Sequence, residues 1–321
     1  MEFNTGLKLA PLPLNAFVAG TFSPLIGHRR ANEATGFWKN YLPTPEVQNS
    51  NNWDEMNCTI RATLNCLEVD YKFQTGTEIN WSDRFVSKTS GNTKDGNYVH
   101  KPAEAIKEKG NVLETEYPNQ APNWDVYYQT IPTEVLEKGK TFLKDFTVDR
   151  EFIFPSQDHE LLYQMLMENP LGVTVRYASS ANPEDILNPQ GTQNHMVMIY
   201  GAKKGEYWEI FDHYAWFVGG TVKKRYAWNY PFGSALRFHL TKKSNLPYMF
   251  KENHPYLLVE GNEQKFGFFL DGKMRVADTK ADWSVLRENS DSRLGRHEIA
   301  KPVTLEQWNS VPHVNMKGES I

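Results

Sequence analysis

Cysteine is scarce in this chain: Cys58 and Cys66 are the only two in 321 residues. A disulfide scaffold or a Cys-rich zinc module rests on four or more, so both are excluded. A basic excess is missing too. Lys plus Arg number 35 against 39 Asp plus Glu, a formal charge of −4, whereas a dedicated nucleic-acid binder carries the opposite imbalance. No run reaches the roughly 18–20 apolar residues of a membrane helix. The most apolar N-terminal stretch, Leu9–Ile26, is broken by Pro11, Pro13, Gly20 and Pro24, and it lacks the continuous apolar core of a signal peptide. It is expected to lie as an extended arm on the domain surface, and the protein to work in a reducing setting, cytoplasmic or virion-associated. Fixed-period repeats and low-complexity tracts are absent as well. Aromatic residues, in contrast, are plentiful, with 9 Trp, 15 Tyr and 18 Phe. A disordered chain would be poor in them.

Hydrophobic spacing organises the rest. Ile60, Leu64, Leu67 and Tyr71 recur at helical intervals, which predicts a helix beginning at about Cys58. Lys101–Lys109 reads as a second helix, with Pro102 near its start and Gly110 at its stop. Asp158–Asn169 reads as a third, ended by Pro170. From there the pattern is β: Gly172–Tyr177, His195–Gly201, Glu206–Phe211 after the Lys203-Lys204-Gly205 turn, and Leu236–Leu240. Asn182–Gln193 reads as a loop. Helices followed by a sheet point to an α+β class. Beyond Ser244–Pro255, read as a linker, Tyr256–Glu260, Lys265–Leu270 and Lys273–Ala277 suggest a small β unit, with an Asp271-Gly272 hairpin turn. Thr304–Trp308 reads as a closing helical turn. The expected organisation is an arm over 1–50, a main domain over 51–245 and a β-rich appendage over 246–321.

A cysteine at a helix start carries potential chemistry. The helix dipole places about half a positive charge there, and that field favours the thiolate and lowers the cysteine pKa. The plainer alternative is a buried cysteine acting as a small hydrophobe. Cys66 lies about two turns further on, about 12 Å away at 1.5 Å per residue, too far for a disulfide. It is expected in the core. His195 begins a β run, and Asp212 ends the returning strand, so a hairpin would bring the two together. Asp212 could then orient the His195 ring, leaving its other nitrogen for a thiolate, the nucleophile–base–orienter arrangement. The other histidines (28, 100, 159, 213, 239, 254, 297 and 313) have no comparable setting and read as surface or hydrogen-bonded residues.

These segments together resemble the papain-like cysteine peptidases, in the same order along most of residues 40–240. Asn57-Cys58-Thr59-Ile60-Arg61-Ala62 stands where that family has its nucleophile and central helix. Trp81-Ser82-Asp83-Arg84-Phe85-Val86 resembles its "LSEQxLVD" segment, and Glu116-Tyr117-Pro118 its "EYPY"-like stretch. Asp95-Gly96 and the following helix resemble the loop flanking the substrate cleft. Asn194-His195-Met196-Val197 resembles the histidine strand, and Tyr207-Trp208 through Asp212-His213-Tyr214 resembles "YWIVKNSW". In that family the His and Asn follow the Cys by about 130–150 residues. His195 falls inside that span and Asp212 just beyond it.

The resemblance implies a two-lobed fold, with a helical lobe and an antiparallel β lobe. It also implies a peptidase acting through Cys58, His195 and Asp212 on a protein or peptide substrate. Asp95, Gly96, Asn194 and Tyr214 would flank the substrate cleft. It implies no cofactor, no metal and no nucleic-acid or membrane partner. The oxyanion donor would be Asn52 or Gln48, while Asp54, close by, would repel an oxyanion unless protonated. The chain departs from the family at Glu55, Met56 and Asn57, which replace Cys-Gly-Ser, and at Thr59, which replaces an aromatic residue. Asp212 stands in place of Asn, and Tyr214 in place of a shielding Trp. With 57 residues before Cys58, latency by the family's long propeptide is not expected. Two other functions fit the same residues. One is a catalytically inactive papain-like structural or binding protein, for example of a bacterial-virus particle. The other is a cell-wall amidase or endopeptidase. In either case the C-terminal region could hold an assembly partner.

Overall fold

The structure is a computed structural model. It describes residues 6–9, 31–48, 53–214 and 222–242 in full, together with the backbone of strands lying between 254 and 314. These residues form two units, dividing after Thr241.

The first unit is organised around α1 (Cys58–Thr75). It ends at Gly76, whose φ of +73° lets its N–H reach the Lys72 carbonyl at 2.8 Å. Every residue from Cys58 to Asp70 is buried, so the helix runs through the lobe rather than along its surface. The apolar stripe accounts for half of that burial. The charged positions between are buried with partners: Glu68 accepts from the Trp81 N–H at 2.9 Å, Asp70 from the Leu240 N–H at 3.0 Å, and Arg61 pairs with Glu55 and Asp83.

Around it stand α2 (Asp83–Thr89), α3 (Lys101–Lys109), α4 (Trp124–Tyr127), α5 (Thr133–Asp145) and α6 (His159–Leu166). Ser82 and Asp158 cap α2 and α6 by accepting from backbone N–H groups three residues on. Asp158 is therefore a cap and not a helical residue, and α6 closes three residues before the expected Asn169. Helix α5 has no strong sequence signal because Gly139 interrupts it. A Cβ there would meet the Phe85 ring at 2.7 Å, so glycine is the condition for close packing of α5 on α2.

Strands β1 (Leu7–Lys8) and β2 (Asn97–Tyr98) form a short parallel pair. The main sheet has seven strands: β3 (Phe146–Ile153), β4 (Leu171–Val175), β5 (Ile186–Leu187), β6 (His195–Lys203), β7 (Tyr207–Phe211), β8 (Lys223–Ala227) and β9 (Ala235–Lys242). Their spatial order is β3-β9-β4-β6-β7-β8-β5. β4 pairs antiparallel with β6 and β9, β6 with β7, and β7 with β8, while β5 joins β8 in parallel. The architecture is α+β, a helical lobe against a mostly antiparallel sheet. β6 is buried from His195 to Ala202 and packs on α1. That single contact joins the two halves of the site. β3 escapes a reading by alternation because Asp149, Arg150 and Glu151 interrupt it. β5 lies inside the expected 182–193 loop.

The second unit is a mixed five-stranded sheet. β10 (His254–Glu260), β11 (Glu263–Leu270) and β12 (Lys273–Ala277) form an antiparallel meander, with β13 (Lys301–Val303) and β14 (His313–Val314) parallel on its edges. β10 begins at His254, inside the stretch read as linker. The Asp271-Gly272 turn, the Thr304–Trp308 turn and most of the 1–50 arm lie outside the described residues.

Candidate active site

Cys58 is the first residue of α1, and the loop before it is tightly held. Met56 adopts φ +51°, a left-handed conformation that costs a non-glycine residue free energy and collects at functional sites. Its N–H donates to Asp54 Oδ1 at 2.7 Å, and Gln48 Nε2 donates to the same oxygen at 2.7 Å. Asn57 donates to Glu55 Oε2 at 2.9 Å and to the Tyr127 hydroxyl at 3.0 Å, and accepts from Arg61 Nε at 3.2 Å. Arg61, on the first turn of α1, also reaches Glu55 and Asp83 at 2.9 Å each and Glu46 at 3.4 Å. A buried guanidinium with three carboxylates thus fixes the residue preceding the cysteine.

His195 opens β6 opposite Val175, and Asp212 follows β7. The antiparallel pairing that sets Met198 against Phe211 brings them together, with His195 Nε2 2.7 Å from Asp212 Oδ1. The Met196 backbone N–H donates to the Cys58 thiol, which seats the sulfur beside the residue that follows His195. Cys58, His195 and Asp212 are each 1% exposed.

Burial pushes the Cys58 thiol well above its usual range, and the Asp54 and Asp212 carboxylates push it the same way. The N–H groups of Met196 and Thr59 oppose them without prevailing. The expectation of a lowered thiol is therefore corrected. The partial charge of a helix end is outweighed by the loss of water and by two carboxylates. Burial alone would also raise Asp212, but Lys224 and then His195 hold its carboxyl well below the ordinary carboxylate range. The neighbouring His213 is buried, and its pKa is pushed down to about 4 by burial and then by Arg61. Its Nδ1 faces the Glu46 carbonyl at 2.5 Å.

Tyr214 walls the histidine. It is 1% exposed, its N–H donates to Asp212 Oδ1 at 2.8 Å, and its ring stands edge-on to His195 at 5.7 Å. Asn194 Oδ1 accepts from the Tyr177 N–H at 2.8 Å, holding a second aromatic wall edge-on to His195 at 5.6 Å. Asp95 is an exposed residue in the Thr93–Gly96 turn, while Gly96 is buried. The Gln48 amide donates to Asp54, as above. Asn52 lies outside the described residues. Cys66 is buried in the core, and both cysteines are free.

Residues 6–9 lie against this site. The Asn97 N–H donates to the Gly6 carbonyl at 2.9 Å. A Cβ on Gly6 would fall 2.3 Å from the Met56 carbonyl oxygen, and one on Gly96 would fall 1.9 Å from that of Gly6. Both glycines have positive φ, and only glycine permits this backbone-to-backbone approach. The arm thus rests between the loop that leads into Cys58 and the turn that carries Gly96. A cavity of about 200 Å³ opens alongside, lined in part by Leu9, Tyr98, His100, Phe152, Phe154 and Gln157.

Three contributors are invisible to motif reading: Tyr177, Arg61 with its carboxylates, and Lys224. Only Lys224 leaves a trace. In β8, Lys224 and Tyr226 are buried and Lys223 is exposed, so a lysine in phase with a buried tyrosine was the available signal. Among the described residues no group of three or more His, Cys, Asp or Glu side chains could hold a metal ion. No helix among them is long and apolar enough to cross a membrane.

No family model matches the sequence, and no curated protein matches it. Solved structures do. Xylellain, a cysteine protease from Xylella fastidiosa, is 13% identical over 76% of this chain and 98% of its own, with a TM-score of 0.51. A digestive procathepsin L of the Tenebrio molitor larval midgut is 17% identical over 69% and 74%, with a TM-score of 0.48. The bromelain protease of Ananas comosus is 18% identical over 62% and 95%, with a TM-score of 0.44. The chain has a divergent papain-like fold.

Proposed function

We propose that this chain is a cysteine peptidase whose nucleophile is Cys58, with His195 as proton carrier and Asp212 as its orienter. The observation that carries the reading is the buried His195–Asp212 contact of 2.7 Å beside a cysteine at the start of the central helix. The Cys58 sulfur gives up its proton to His195 and attacks the peptide carbonyl carbon. His195 then returns that proton to the leaving amine as the C–N bond breaks. Water, deprotonated by His195, hydrolyses the thioester and regenerates the thiol. The oxyanion would sit at the Cys58 backbone N–H, with Gln48 or Asn52 as the second donor. The raised Cys58 thiol suits formation of the ion pair on substrate binding rather than a resting thiolate.

The decisive test is alkylation of Cys58 by iodoacetamide together with a peptide-library cleavage screen. Labelling faster than at an ordinary exposed thiol, slowed by His195→Ala, supports the reading. A rate no faster than that, and indifferent to His195→Ala, would favour the second reading, a peptidase-like binding or structural protein. The raised thiol and the 1% exposure of Cys58 are the observations on that side.

The arm bears on the same test. If the strand edge at Asn97–Tyr98 receives an extended substrate, residues 6–9 must leave first. Removing residues 1–9 gives up a few backbone hydrogen bonds, each contributing about 0.5–1.5 kcal/mol. It is expected to raise kcat/KM for a peptide substrate by roughly tenfold, mostly through KM. Unchanged steady-state constants in the shortened chain would show that the arm and the substrate do not compete.

A further inference from the structure

We propose that Lys224 is a positioning residue of this site: its buried ammonium holds one oxygen of Asp212 while His195 holds the other, so that the histidine is oriented by a charge-neutral pair. The proposal rests on the peptidase reading for its consequence in catalysis, but its physical content concerns His195 alone.

The geometry is explicit. Lys224 Nζ lies 2.6 Å from Asp212 Oδ2, and His195 Nε2 lies 2.7 Å from Oδ1, where the Tyr214 N–H also arrives at 2.8 Å. The Lys224 side chain is 2% exposed and that of Asp212 0%. A buried lysine is rare unless its charge is answered. Here the remaining donors of Nζ go to the Ala178 carbonyl at 3.1 Å and to the face of Tyr177, whose centroid is 4.6 Å away. Tyr177 in turn stands edge-on to His195. Strand β8 therefore places a full positive charge one carboxylate away from the imidazole.

The chemical reason concerns Cys58. An uncompensated aspartate at the third position would oppose a thiolate a short distance away, and Asp212 acts on the thiol in that sense. Lys224, 2.6 Å from the other carboxylate oxygen, opposes that field. The Lys–Asp pair then serves as a neutral acceptor for the His195 ring, as an amide side chain would. Asp212 becomes compatible with a cysteine nucleophile because β8 supplies its counter-charge. The titratable and charged groups facing His195 are Asp212 and, behind it, Lys224 from β8. Among the described residues, Cys58 from α1, Tyr177 after β4, and Tyr214, which contacts Asp54, stand near it as well.

The experiment is the titration of the His195 imidazole, followed by NMR in full-length chains carrying Cys58→Ala, which need no catalysis. Lys224→Met is expected to move the His195 titration to higher pH by about one unit. Lys224→Arg, which keeps the charge, is expected to leave it nearly in place. Asp212→Asn moves it to lower pH, and Asp212→Asn combined with Lys224→Met brings it back toward the starting position. In the chain with Cys58 intact, the alkaline limb of the iodoacetamide rate profile follows the same order. Should Lys224→Met fail to fold, the comparison of Asp212→Asn with the double variant decides alone. Titrations that coincide across the folded variants would overturn the proposal and reduce Lys224 to a packing role. Absence of peptide hydrolysis in every chain, with the titrations shifting as stated, would overturn the peptidase reading and leave the Lys224 assignment standing.

Discussion

If the chain is the proposed peptidase, Cys58→Ala is expected to abolish peptide hydrolysis, lowering kcat by about 10⁴-fold or more, and to leave the folded state intact. The sulfur is the only atom in the site from which a thioester can form. Cys66, the other thiol, sits two turns further along α1, in the core and away from His195. Alanine leaves a cavity the size of one sulfur, a cost of about 1 kcal/mol, small beside a total stability of about 5–15 kcal/mol. Residues that act as a unit are not additive. His195→Ala is therefore expected to lower kcat to a similar level, and the double variant no further. Steady-state kinetics on the best peptide from the cleavage screen, with thermal unfolding as the control, measures both statements. Retention of more than a tenth of the activity in folded Cys58→Ala would show that the hydrolysis belongs to another group.

How much of this was legible in the sequence depended on the distance over which each signal acts. The helix from Cys58 could be read because Ile60, Leu64, Leu67 and Tyr71 repeat locally, and the hairpin because Lys203-Lys204-Gly205 separates two β runs. From those two elements the approach of His195 to Asp212 follows by register. What a local reading cannot give is the sign of the Cys58 shift. The helix end acts over one turn, whereas the burial is set by β6 packing on α1, and of the two opposing carboxylates Asp54 is near in sequence but Asp212 reaches Cys58 only through the fold. Lys224 is similar: a lysine in KKRYA reads as surface until β7 pairs with β8 and turns one of the two lysines inward. Tyr177 and the Gly6–Gly96 approach are tertiary contacts without a motif. The charged residues of α1 misdirect a pattern reading, since Arg61, Glu68 and Asp70 break the apolar stripe yet are all buried.

Arg61 carries the second large effect. Arg61→Leu is expected to destabilise the fold by about 3–5 kcal/mol near neutral pH, because removing one member of a buried ionic cluster strands the others. The carboxylates left behind are Glu55 and Asp83, whose side chains are 1% and 4% exposed, and the half-buried Glu46. Burial already raises Glu55 and Asp83 above their ordinary range even with Arg61 opposing it. An acid whose pKa is higher in the folded than in the unfolded chain contributes most below its unfolded value near 4. That contribution is lost as pH rises through the folded value. Without the guanidinium both folded values climb further, so the deficit of Arg61→Leu should be much larger at pH 8 than at pH 4.5. The wild type, with the cation in place, should show the smaller change. Denaturant unfolding of both chains at the two pH values measures it. A loss below about 1 kcal/mol at both would mean that the cluster is not what anchors the helix start. The same substitution removes the Arg61 Nε donor to Asn57, directly before Cys58, and leaves that side chain its contacts with Glu55 and Tyr127. At acidic pH, where the variant is folded, a fall in kcat with KM preserved would therefore mark Arg61 as support for the nucleophile's position as well as for the fold.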